Sequence, residues 1–139
     1  VSKMIFRRLV LVLGAAALSL PLLAAAEKFD GSQPFICAVT EVLECYEKEG
    51  CSHETTRATR APEFLRIDLK KKSLIAQTDH EPRDSEILHS AQKDNVLVMH
   101  GFEDLRGWVV TVVTDTGEMS ATVAGEEIAF VLFGNCTIP

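Results

Sequence analysis

Hydrophobic and polar positions alternate with a period of two over most of the chain. Residues 64–69 show it most clearly. Leu65, Ile67 and Leu69 fall on one side, Arg66 and Asp68 on the other. That alternation predicts a half-buried strand. Phe35–Tyr46 carries many β-formers and no helical period, so it reads as the first strand. Lys70-Lys71-Lys72 turns the chain into Ser73–Gln77. A lysine run at a hairpin tip is solvated and discourages edge pairing. Strands follow over 86–91 and 96–102, joined by a turn at 92–95, and then over 108–114. Gly117 suits the left-handed position of a three-residue hairpin loop. Residues 119–123 alternate again, Gly125-Glu126-Glu127 turns the chain, and 128–133 is the last apolar strand. Residues 27–34 form a polar lead-in, and 52–62 and 79–84 read as loops. The count is eight strands with short connections and no helix. The fold class is therefore all-β, an antiparallel meander. Eight strands suit a small closed or partly open barrel, which removes exposed edges. An open sheet or small sandwich is the alternative.

The first 26 residues break this pattern. Lys3, Arg7 and Arg8 precede an apolar run over 9–26 that ends in Ala24-Ala25-Ala26, with Pro21 just before. A basic start, an apolar middle and a small-residue end describe a secretory signal peptide cleaved after Ala26. An uncleaved anchor is the alternative, for which these 18 residues barely reach a span; Pro21 and the small-residue ending favour cleavage. The expected working chain is one β domain over 27–139, with no membrane attachment once the signal is removed. Composition then shifts. The full chain has 14 basic and 20 acidic side chains. Without Lys3, Arg7 and Arg8 there are 11 against 20, a net charge of −9. An acidic surface excludes a protein that coats nucleic acid. The short length excludes a multidomain enzyme.

An exported chain meets an oxidising compartment, the periplasm or the medium, where four cysteines imply disulfides before metal. Cys37 and Cys45 lie eight residues apart in one extended strand, beyond bonding reach. Two pairings survive. Cys45–Cys51 with Cys37–Cys136 is favoured, because it closes a tight turn and ties the first strand to the last. Cys37–Cys51 with Cys45–Cys136 is the other.

The signal peptide, the segment Pro34-Phe35-Ile36-Cys37 leading to Cys45 and the nearby Cys51 share one pattern with later segments. Those are Pro62-Glu63-Phe64-Leu65-Arg66-Ile67-Asp68-Leu69, Gly107-Trp108, Gly117, and the closing Phe133-Gly134-Asn135-Cys136. Together they resemble a family of small exported four-cysteine proteins of Gram-negative bacteria with no assigned activity. The resemblance spans nearly the whole mature chain. It implies export and a cysteine layout, and no mechanism.

Chemistry-bearing residues are sparse. The histidines are His53, His80, His89 and His100, none at a zinc-like spacing. Cys51-Ser52-His53-Glu54 is half a metal site at best, and a bonded Cys51 removes it. A turn at 92–95 sets Ala91 against Val96 and brings His89 and His100 diagonally together on one face. They form a weak candidate pair in the barrel lumen, able to bind metal or to respond to pH near 6. No Gly-x-Ser-x-Gly turn is present, Glu126 and Glu127 share a turn, and Glu41 and Glu44 face opposite sides. The reading is of a non-enzyme with no cofactor and no bound metal.

The late strands are apolar on both faces, more than a sheet with one wet face needs. Three explanations compete: the lead-in or 52–62 covers the second face, a second copy or another envelope protein covers it, or the inner face lines a ligand cavity. The expectation is a protein-binding or envelope accessory module with an interaction surface at Met99, Trp108, Val110 and Val112. The alternative is a lipocalin-like carrier of a small apolar ligand.

Overall fold

The structure is a computed structural model that describes residues 28–139. The signal peptide expected over residues 1–26 lies outside the described residues. The fold is all-β and antiparallel. Ten strands form one sheet: β1 (Phe35–Tyr46), β2 (Gly50–Glu54), β3 (Phe64–Asp68), β4 (Ser73–Gln77), β5 (Arg83–Glu86), β6 (His89–Lys93), β7 (Val96–Glu103), β8 (Arg106–Val113), β9 (Glu118–Ala124) and β10 (Ile128–Thr137). Nine of them run in the order β5-β4-β3-β1-β10-β9-β8-β7-β6, and β2 pairs with β1 beside that path.

The two end strands of that path, β5 and β6, are consecutive in the chain. Only Ile87 and Leu88 separate them. The Ile87 N–H donates to the Lys72 carbonyl at 2.8 Å, and the Leu88 N–H donates to the His100 carbonyl at 3.0 Å. One link thus touches both margins, so the sheet curls into a half-barrel whose edges meet there. Gly101 on β7 permits that meeting. A Cβ at this position would run into the Glu86 carbonyl and the Trp108 ring. The eight expected strands are all present, with the strand expected over 86–91 bent into β5 and β6.

Two stretches differ from the sequence reading. The loop expected over 52–62 contains β2 and a one-turn helix α1 (Thr56–Thr59). Its N-cap is Thr55, whose hydroxyl accepts the Ala58 N–H at 3.1 Å. β2 forms because it closes a hairpin on β1, with Lys48 and Gly50 in left-handed conformations at the turn. The loop expected over 79–84 ends early, since Arg83 and Asp84 already pair with β4. Gly117 has φ 76°, as its turn position requires.

Both disulfides take the favoured pairing, Cys37–Cys136 and Cys45–Cys51. Each joins residues directly opposite on neighbouring strands. They lie on different faces, because a bulge between Val39 and Glu41 shifts the register of β1. Phe35 and Cys37 point inward before the bulge, and Val42 and Glu44 do so after it. Cys37 is fully buried, whereas Cys51 is exposed.

The lower end of the barrel is packed. Phe29, Phe35, Ile67, Leu97, Met99, Val112 and Met119 are all buried. Phe29, in the lead-in, plugs this end. Its N–H donates to the Thr114 carbonyl at 2.9 Å, and its ring meets Phe35 edge-on at 5.8 Å. The lead-in expected to be loose is therefore part of the core from Phe29 on. Aromatic burial of this kind contributes about 1.5–3 kcal/mol per ring.

Candidate functional site

The upper end of the barrel is hollow. The inward residues there are shorter: Ala76 on β4, Val110 on β8, and Ala121 and Val123 on β9. Where Met99 and Met119 fill the lower half, these leave a chamber of about 620 Å³. Leu65, Leu74, Trp108, Phe130 and Leu132 complete its apolar wall. Alternation along each strand sets these side chains inward, so the wall follows directly from the period of two. The chamber opens between the β7–β8 turn, the start of β5, and the segment after α1, where Ala61 and Pro62 join the wall. Its volume is in the range of small-molecule sites, about 300–1,000 Å³.

A charged rim surrounds this apolar wall. It holds Arg60, Arg83 and Arg106, together with Glu44, Glu103 and Asp104. The Arg83 guanidinium meets the Glu103 carboxylate at 3.1 Å. The Tyr46 hydroxyl donates to the Glu44 carboxylate at 3.1 Å. That bond holds the phenol proton on and raises the Tyr46 pKa above its usual value. The Arg106 guanidinium sits over the Phe130 ring, 5.8 Å from its centroid. In the wall itself, the Trp108 indole N–H is buried with no hydrogen-bond partner among the described residues. The ring edge that carries it packs against Gly101 on β7, and a buried donor left unmade costs about 1–3 kcal/mol.

Two sequence expectations are corrected here. Met99, Trp108, Val110 and Val112 do not form an interaction surface. All four point inward and are buried, Trp108 being 5% exposed. Trp108 and Val110 line the chamber, while Met99 and Val112 belong to the packed lower half. The excess apolar character is on the alternate positions instead, where Val109 and Phe133 are exposed. His89 and His100 do come together, with ring centroids 5.8 Å apart, but not in the lumen. Both are exposed on the outer face. The hairpin turn is two residues, Asp94 and Asn95, so Lys93 opposes Val96 and His89 opposes His100 directly. His100 alternates with the inward Met99 and must face out. No group of three or more His, Cys, Asp or Glu is arranged to hold a metal among the described residues.

The rim residues escaped the sequence reading. Arg106 shares the inward parity of Trp108 and Val110, and Arg83 shares that of Ser85 and Ile87. A charged residue in phase with an apolar stripe at a strand end was the available signal. Glu44 carried no such signal, because the bulge in β1 reverses its parity.

No helix among the described residues is long and apolar enough to cross a membrane. Two formed disulfides fit an extracytoplasmic compartment. The curled β scaffold with one hollow end is compatible with a binding module. The chain matches no family model, no curated protein and no solved structure.

Proposed function

We propose that this chain is a non-enzymatic periplasmic binding protein that carries a small ligand with an apolar body in the upper chamber of its barrel. The chamber itself carries this reading. It is about 620 Å³ of space walled by Leu65, Leu74, Trp108, Val110, Phe130 and Leu132, with a charged rim at its mouth. A fold that packs Phe29, Phe35 and Met99 tightly below has the means to fill its upper half as well, and does not.

A native mass spectrum of the protein from its own source tests this. The expected result is an added mass that disappears on denaturation. Bare protein, together with no binding of the apolar fluorophore N-phenyl-1-naphthylamine, overturns the carrier reading.

A protein partner is the second reading. It is supported by the β7–β8 turn, where Leu105 is 96% exposed and Phe102 is 66% exposed beside the chamber mouth. An envelope protein that grips this turn would bury both. Phe102→Ser, which lies outside the chamber wall, should then abolish complex formation without altering ligand binding.

A further inference from the structure

We infer that the chamber takes an amphipathic anion, with its apolar chain along the Trp108 wall and its anionic head on Arg106 at the mouth. This rests on the carrier reading. The ground is how the rim charges are distributed. Rim acids and bases are equal in number, three of each, and one ion pair takes one of each, so what separates the rest is where they sit. Glu103 lies directly across the strand pair from Arg106 and would be its natural partner. Its carboxylate is instead held by Arg83 at 3.1 Å. Glu44 accepts the Tyr46 hydroxyl. Asp104 stands at the tip of the β7–β8 turn with φ 53° and is exposed. Arg106 and Arg60 are left with no carboxylate partner among the described residues.

Arg106 is also held in place. Its stem crosses Gly125, where an added Cβ would lie 3.3 Å from its Cγ. Its guanidinium rests over Phe130, a wall residue of the chamber. A guanidinium fixed on an aromatic face keeps its planar set of N–H donors for a ligand, and that set matches a carboxylate in a bidentate geometry. Arg60, in a left-handed conformation at the end of α1, lines the same mouth. A cationic head would meet these two arginines, while Glu103 is paired, Glu44 is held by Tyr46 and Asp104 stands out at the exposed turn tip. A neutral hydroxyl head would lack the charge and the bidentate geometry that the Arg106 donors match.

Three ligands with one chain length test this: decanoate, decanol and decyltrimethylammonium, each below its micelle concentration. Trp108 is the only tryptophan, so its emission reports the chamber. Decanoate should bind about tenfold more tightly than decanol, with the ammonium weakest. Arg106→Gln should weaken decanoate about tenfold and leave decanol unchanged, which shows the chamber intact. Arg60→Gln leaves the Phe130 contact untouched and should weaken decanoate by a smaller factor. Equal binding of decanoate and decanol, or unaltered decanoate binding in both variants, overturns the assignment of the head group while the carrier reading stands. If none of the three ligands binds, the carrier reading itself fails.

Discussion

The two halves of the barrel are made from the same strands and treat their interiors in opposite ways. Below, Phe29, Phe35, Ile67, Leu97, Met99 and Met119 close the space, and Cys37–Cys136 staples the neighbouring strands β1 and β10 beside them. Above, Ala76, Ala121 and Val123 leave the space open, and Cys45–Cys51 sits outside on the β1–β2 hairpin. Strand geometry cannot account for the difference, since β8 runs through both halves. Side-chain volume accounts for it. Stability is concentrated in the packed half, which frees the hollow half to forgo contacts. Proteins commonly separate a stable scaffold from a less optimised site in this way.

The comparison is broken most sharply at the disulfides. Cys37–Cys136 spans 99 residues of sequence and Cys45–Cys51 spans 6. The chain-entropy model gives about 5 kcal/mol for the first and about 2 kcal/mol for the second. Replacing Cys37 and Cys136 by Ser should lower the urea midpoint far more than replacing Cys45 and Cys51. Equal losses would mean that the lower half is not the anchor.

Cavity-making substitutions sharpen the same contrast. Met99→Ala, in the packed half, should cost about 3 kcal/mol, because the vacated space has no way to collapse. Val123→Ala, on the chamber wall, should cost about 1 kcal/mol, since its methyls already face open space. Equilibrium unfolding of both variants measures the difference.

The smallest effect is in the lead-in that plugs the lower end. The Asp30 carboxylate accepts hydrogen bonds from Ser32, one of them from its backbone N–H at 2.9 Å, and this lowers its pKa below 3.8. A lowered folded value means the stabilisation is present above 3.8 and is lost as pH falls through the folded value. The protection of the Ser32 amide, its exchange rate relative to the unstructured rate at the same pH, should therefore fall only in that acid range. In Asp30→Asn that titration of the protection should disappear.

Much of the scaffold was legible from period alone. Leu65-Arg66-Ile67-Asp68 states its own strand and its inward face, and Cys37–Cys136 follows from joining the first strand to the last. The hollow half was not legible, for a physical reason. Alternation tells which residues face inward but says nothing of the volume they must fill. Trp108 and Val110 therefore read as surplus apolar surface when they are chamber wall. Parity also fails wherever a strand slips. The bulge after Val39 hides the inward turn of Glu44, and a two-residue turn in place of four moves His89 opposite His100. The rim of Arg83, Glu103 and Arg106 needs three strands in register before it exists, and register is set by the curled sheet as a whole.

The central claim is that the upper half is a ligand chamber, and the most direct test is to fill it. Ala121 is buried and faces the chamber from β9. Ala121→Phe should keep a wild-type or higher unfolding midpoint, since the new ring occupies empty space, and decanoate titrated against Trp108 emission should no longer bind. A folded Ala121→Phe variant that binds decanoate as the wild type does would contradict the account.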